Sequence, residues 1–338
     1  MTAAQALCTR TPTTCEARTR LYRDGELVTE GFPVQDIARH LAEDGTTVWL
    51  DLLDPGSDDL AVLSEEFGLH PLAVEDAVDD RQRPKLDHYD SHLFLNAYAV
   101  RLDTGTGELS TSEVAAFVTK RALITVRKDD RMHLDALVER WDQTADQAVH
   151  GVSWLLHGLL DHVVDGHFAA VEVLDDSIEE LEDVLFDDAP QSKEVQRRSF
   201  ALRKSLVQLR RVVLPMREVL NSLLRRDMHV LDDAMVPYYQ DVYDHVLRVS
   251  EWTESLRDLV STVLETNLTM QGNRLNEVMK KLTSWAAIIA IPTAVTGFFG
   301  QNVPYPGFQQ ESGLIVSVVL IVAIAGGLYL GFRRKGWL

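Results

Sequence analysis

Two groups of residues in this 338-residue chain have the types and spacing to handle a cation. The first is Gly300-Gln301-Asn302, near the end of a long uncharged stretch. Gly300 lets the chain leave a helix, and Asn302 presents a neutral carboxamide. A ring of such oxygens can hydrogen-bond to the water shell of a cation. Mg²⁺ gives up its waters reluctantly, so a site of amide and carbonyl oxygens suits it without buried carboxylates. The second group is Asp241 and Asp244, three apart on a helical pattern and close to His245. Carboxylate oxygens suit hard cations, although two surface acids have the same spacing. His157, Asp161 and Asp165 recur every fourth residue, which places three ligand types on one helical face or simply marks a structural stripe. Asp175, Asp176, Glu179, Glu180, Glu182, Asp183, Asp187 and Asp188 make one helix end densely acidic, as a gathering point for counterions or as a solvated face.

The elements that must position these groups are legible from hydropathy. Leu282–Gln310 and Ser312–Phe332 are uncharged stretches separated by Glu311, each long enough to cross a bilayer, which takes roughly 20 apolar residues. Lys280 and Lys281 precede the first, Arg333, Arg334 and Lys335 follow the second, and the connection has no Lys or Arg. The positive-inside bias then puts both termini in the cytoplasm of a multi-pass protein of the cell membrane. The second span is Val, Leu and Ile with Ser317, as suits a lipid-facing helix, whereas the first carries Pro292 and a milder face. Stepping by three or four, Asn276, Met279, Thr283, Ala286, Ala290, Thr293 and Gly297 share that face, which is small or weakly polar and free of charge. One hairpin cannot enclose a channel, so a pore requires several copies with first helices inside. The same small residues would also serve a plain membrane anchor by letting helices approach closely.

Most of the chain precedes the hairpin. Short β-like runs at Val48-Trp49-Leu50, Leu93-Phe94-Leu95, 114–118 and 122–126 mix with a helical period over Leu60–Phe67 and predict an α/β domain over residues 1–150. Beyond Gly151 the β signal stops. Amphipathic helices follow over Trp154–Leu185 and Val195–Arg226 with Pro190 between them, and a third begins near Val236. Its apolar stripe runs to Leu282 with Gly272 as the weak point; a continuous helix to Phe299 would be roughly 95 Å long. The chain thus divides into 1–150, a helical and stalk region 151–281, the two-span region 282–332 and a basic tail 333–338. Cys8 and Cys15 match no zinc or disulfide spacing and read as reduced thiols in a Thr-rich N-terminus without a secretory signal. The net charge of -19 repels nucleic acid and attracts cations. No phosphate-binding glycine loop, nucleophile elbow or zinc-protease motif occurs to carry an enzyme.

As a set, Phe67–Asp76, Gln82-Arg83-Pro84-Lys85, Pro215–Leu220, Tyr239–His245, Asn276–Thr283 and the basic ending Arg333–Leu338 resemble, in order, segments of the CorA-type divalent cation channel family. That resemblance implies an α+β membrane protein: a homopentamer with cytoplasmic α/β domains, a long helical stalk and two C-terminal transmembrane helices. It implies Mg²⁺ entry driven by membrane potential, with Co²⁺ and Ni²⁺ as further passengers, and a selectivity ring at Gly300-Gln301-Asn302. It also implies a regulatory divalent ion between Asp76 of one subunit and Asp241 of the next, with Glu75 and Asp244 nearby. The chain departs from the family's pattern in carrying Gln301 where Met is usual and Ala290 where a bulky apolar pore residue is usual, so a hydrophobic constriction would rest on Met279 and Leu282. Gln301 keeps a zinc transporter of the same family in view. From outside that class, a membrane-anchored cation-sensing scaffold would use the same rod and acidic helices.

Overall fold

Strand Thr46–Leu53 (β3) is apolar on both sides of its pleat and buried along nearly its whole length, so it needs cover on both faces. In the computed structural model, which describes residues 15–79, 82–103, 107–186, 192–225 and 231–338, that cover comes from helices. Cys8, Asp187, Asp188, Pro190 and Arg226, named above, lie outside the described residues.

The strands are β1 (Glu16–Arg23), β2 (Glu26–Glu30), β3, β4 (Lys85–His88), β5 (Leu93–Leu102), β6 (Leu109–Val118) and β7 (Ala122–Arg127), in the sheet order β2-β1-β3-β7-β6-β5-β4. Every neighbouring pair is antiparallel except β3–β7, where Val48 to Leu53 run beside Ala122 to Arg127. The helices are α1 (Ile37–Leu41), α2 (Ser57–Phe67), α3 (Pro71–Val78), α4 (Leu134–Gln143), α5 (Val152–Phe186), α6 (Ser192–Leu223), α7 (Val236–Phe299) and α8 (Glu311–Arg334). Among the described residues two compact units form, Met1–Thr262 and Val263–Leu338. The division expected at residue 150 therefore falls inside the first unit, because α5 packs on the sheet.

One face of the sheet, with Val48, Leu50, Leu52 and Ile124, is closed by Leu60 and Leu63 of α2 and Ala73 and Ala77 of α3. Across the other face Trp49 meets Trp141 edge-on at 4.8 Å, and Trp141 meets Trp154. Each indole N–H is satisfied: Trp49 donates to Thr125 Oγ1, Trp141 to Leu155 O and Trp154 to Thr144 Oγ1. Gly158 is required there, since a Cβ would lie 2.3 Å from Trp141 Nε1. Further along α5, the fully buried His167 donates from Nε2 to Tyr98 O at 2.7 Å and so fastens the helix to β5. Between β3 and β7 the buried Arg127 guanidinium grips Asp51, with Arg127 Nη2 2.8 Å from Asp51 Oδ2. The β1–β2 hairpin was not expected in the Thr-rich N-terminus; its inner strand buries Thr19 through Tyr22, and only Leu21 and Tyr22 of these are apolar, a short signal among charged neighbours.

In the second unit, α7 passes Gly272 without a break and ends at Phe299, the end expected for a continuous helix; the rest of the uncharged stretch, to Gln310, lies beyond it. Residues 300–310 form a turn that is tight at one point: Gly307 has φ +93°, and a Cβ on Gly313 would meet Gly307 O at 2.4 Å. Phe298, Phe299, Tyr305 and Phe308 cluster about this turn, and Tyr305 donates to Phe299 O at 3.0 Å. Helix α8 follows, closed by Arg333 and Arg334 in its last turn, where cations complement the helix dipole.

Candidate functional site

The stripe read from the sequence is a real surface of α7. Asn276, Met279, Thr283, Ala286, Ala290, Thr293 and Gly297 are all exposed, and so is Leu282 beside them. Ser284, by contrast, is buried and donates to Lys280 O. Thr293 of the stripe donates from Oγ1 to Ile289 O at 3.3 Å, and the neighbouring Thr296 from Oγ1 to Pro292 O at 2.8 Å, which leaves each hydroxyl its acceptor capacity. Only 6% of either apolar window in α7 and α8 is buried. So much bare hydrocarbon suits a helix pair long and apolar enough to cross a membrane.

At the end of α7, Gly300 N–H still donates to Thr296 O at 2.8 Å, and Gln301 N–H to Phe298 O at 3.2 Å. Gly300 is needed for closeness rather than for a left-handed backbone, because a Cβ would sit 2.9 Å from Thr296 O. Gln301 and Asn302 then lie exposed in the turn, with neither side chain bonded among the described residues.

The acidic residues fall in separate places. Asp76 lies half-buried on α3, where Lys85 Nζ stands 2.5 Å from its Oδ2 and 2.8 Å from Asp87 Oδ2. Burial pulls the Lys85 ammonium down, but the hydrogen bonds it donates to Asp76 and Asp87, with their negative charges, outweigh it and hold the pKa above the ordinary lysine value. Glu75 beside it is exposed. Asp241 and Asp244 are exposed on α7, and Asp244 accepts from Gln240 Nε2 at 3.2 Å. No contact within the chain joins Asp76 to Asp241 among the described residues.

The stripe His157, Asp161 and Asp165 splits. His157 turns toward the rings of Tyr238 and Tyr239, at 5.7 and 5.6 Å. Asp161 and Asp165 meet His245 of α7 instead, with ligand atoms all within 4.8 Å of one another. Arg140 of α4 is paired with both carboxylates, so this cluster already holds a positive charge. Burial pushes the Asp161 carboxyl above its ordinary range and Asp165 adds to the shift, against the opposing Arg140. Arg140 was not marked by local pattern, His245 was read beside Asp241 and Asp244 rather than with Asp161 and Asp165, and Lys85 only within a segment; each reaches its partner across elements.

An α/β unit in which a single helix continues into a bare two-span hairpin, carrying an uncharged polar stripe to a turn of neutral carboxamides, defines a multi-pass membrane transport protein. Residues 44–334 match the profile described as CorA-like Mg²⁺ transporter protein, and the chain belongs to that family. It is 31% identical over 300 residues to the cobalt/magnesium transport protein CorA of Thermotoga maritima, covering 88% of this chain and 85% of that one. It is likewise 31% identical over 293 residues to the putative metal ion transporter YfjQ of Bacillus subtilis, covering 86% and 89%. Among solved structures, the complete CorA magnesium transporter from Methanocaldococcus jannaschii has a TM-score of 0.76 at 22% identity, over 96% of this chain and 99% of that chain. The full-length CmaX protein gives 0.72 at 20% identity over 97% and 100%. These likenesses bear out the expected fold, with its α/β domain, long helix and two C-terminal apolar helices.

Proposed function

We propose that five copies of this chain form a passive Mg²⁺ channel of the cell membrane, which also passes Co²⁺ and has both termini in the cytoplasm. The observation that carries this reading is the exposed, uncharged stripe from Asn276 to Gly297, leading to the exposed carboxamides of Gln301 and Asn302. Arranged around an axis, the stripe lines a path for a hydrated ion, while α8 faces lipid. Gly300 contributes a backbone carbonyl and Asn302 a side-chain oxygen to the ring that binds the water shell. No carboxylate lies along the stripe, so the ring discriminates by hydration and size rather than by charge. Met279 and Leu282, 57% and 63% exposed, supply the apolar constriction in place of the small Ala290.

The channel senses its own product through a regulatory divalent ion between subunits. Asp241 and Glu75 fit that role, being exposed and without an ion-pair partner among the described residues, and Asp76 faces only a displaceable ammonium. With the ion absent, the carboxylates repel and loosen the closed ring; α7 carries the change toward Met279.

Vesicles containing purified protein, loaded with ion-sensitive dye and given Mg²⁺ or Zn²⁺ with and without a proton gradient, test the assignment. Potential-driven Mg²⁺ entry indifferent to the gradient supports it. Zn²⁺ entry that needs the gradient would establish the zinc transporter instead, and absence of flux from assembled protein would establish the sensing scaffold.

A further inference from the structure

Helix α6 is out of character with the rest of this chain. Within a protein of net charge -19 it carries eight Lys and Arg against two Glu. On its outer side Arg197, Phe200, Lys204, Val207, Arg211 and Leu214 alternate steps of three and four, so they form one straight seam roughly 26 Å long. The three basic residues are exposed, Phe200 is 56% exposed, and Val207 and Leu214 are half-buried. A face that only served solubility would have no reason to place an aromatic ring and two aliphatic groups between its charges. The pairing inside the chain is slight: Arg197 lies 3.8 Å from Glu194, Lys204 3.6 Å from Glu108, and Arg211 has no ion pair among the described residues. Contacts as exposed as these contribute little and yield readily to a better partner.

The complement is on the same molecule. The second half of α5 carries no Lys or Arg, and Glu172, Asp176, Glu179 and Asp183 repeat on the same three-and-four pitch along its exposed side. None of the four makes an ion pair among the described residues. The two rows face away from each other within one chain, because α5 and α6 already pack together with Leu174, Ile178, Leu181, Val195, Leu202 and Leu206 on their buried sides and Arg198 reaching Glu180 at 3.0 Å.

We propose that the basic seam of α6 docks on the acidic row of α5 from a second copy of this chain. The contact is heterologous, each copy offering its basic seam to one neighbour and its acidic row to the other, which is the arrangement that closes into a ring. It rests on the oligomeric channel reading above and locates a cytoplasmic part of that assembly outside the membrane hairpin. It also gives the dense acidity of α5 a use that solvation does not: an unpaired negative row repels its copies unless a positive one faces it.

The test uses full-length protein in detergent, assembled from an equal mixture of isotopically light and heavy chains. A carbodiimide, which joins an amine directly to a carboxylate, is applied and the joined peptides are read by mass spectrometry. The proposal expects light-to-heavy links from Lys204 to the acidic row. Lys204 to Glu108 within one chain serves as the internal reference, and only that link from oligomeric protein would overturn the proposal. In parallel, R197E/K204E/R211E and E172K/D176K/E179K should each weaken subunit association at low salt by about tenfold or more, and the two sets combined on one chain should restore it to within about twofold. Failure of the combined chain to recover, with each parent set folded by circular dichroism, would overturn it too, as would a tightly held foreign polyanion found along the seam. A parent protein that is monomeric in bilayers refutes the channel reading itself, a result distinguishable from loss of the seam alone.

Discussion

Lys85 stands between two acids, and the proposed regulatory ion must compete with it for Asp76. The side chains of Lys85 and Asp76 keep 30% and 23% of their exposure at a separation of 2.5 Å. Two unit charges at 4 Å in an effective dielectric of 20 attract by about 4 kcal/mol, but water at a partly open pair screens most of that, and about 1 kcal/mol is the appropriate magnitude. Replacing Lys85 with Met keeps the length and apolar stem while freeing both Asp76 and Asp87. The variant should therefore bind Mg²⁺ about fivefold more tightly at the cytoplasmic site, since that factor corresponds to about 1 kcal/mol. Channel closure should occur at a correspondingly lower internal Mg²⁺ concentration. Protection of the cytoplasmic unit from protease, titrated with Mg²⁺, measures the binding; flux into vesicles of set internal Mg²⁺ measures the closure. The D76N/D241N double variant should move both curves the opposite way. Unchanged or weaker Mg²⁺ protection in Lys85→Met, with normal thermal stability, would refute the competition and with it the assignment of Asp76 to the ion.

Gly300→Ala pushes a methyl group against Thr296 O, 2.9 Å from the ideal Cβ, and should cost about 1 to 3 kcal/mol locally; Mg²⁺ uptake should fall while the oligomer by light scattering is kept. Arg127→Met leaves Asp51 buried without its partner and should destabilise the cytoplasmic unit by about 3 to 5 kcal/mol, whereas the double change D51L/R127M should recover most of the thermal stability. His167 is buried with its Nε2 proton held by Tyr98 O and its Nδ1 unpartnered, so burial lowers its pKa from 6.5 to about 4. The unfolded chain then binds the extra proton first, and stability falls as pH drops from about 6.5 to about 4, by about 3 kcal/mol in full. His167→Gln should flatten that slope in thermal melts between pH 4.5 and 6.5.

The hairpin, the long helix and the apolar runs in β3, β5, β6 and β7 were legible because each is a continuous run of one hydropathy pattern. The α7 helix begins at Val236 as its stripe does, and the glycine at 272 does not interrupt it, because about 1 kcal/mol of propensity is small against the helix on both sides. What escaped the sequence was pairing across elements. Asp161 and Asp165 were visible as a stripe on α5, but their companions Arg140 and His245 come from α4 and α7, and the third member expected, His157, packs on tyrosine rings. Lys85 was visible only as part of a segment, not as the partner of Asp76. Gly300 was expected for its freedom to leave the helix; its need for space against Thr296 O appears only with the backbone in place.

The exposed carboxamide of Asn302 is the group on which the proposed ring for hydrated Mg²⁺ depends. Mg²⁺ entry into vesicles holding an inside-negative potential, compared for the parent and Asn302→Ala at equal oligomer content, addresses it most directly. The parent should show selective Mg²⁺ entry and the variant none, with assembly unchanged. Retained, selective Mg²⁺ entry in Asn302→Ala would contradict it.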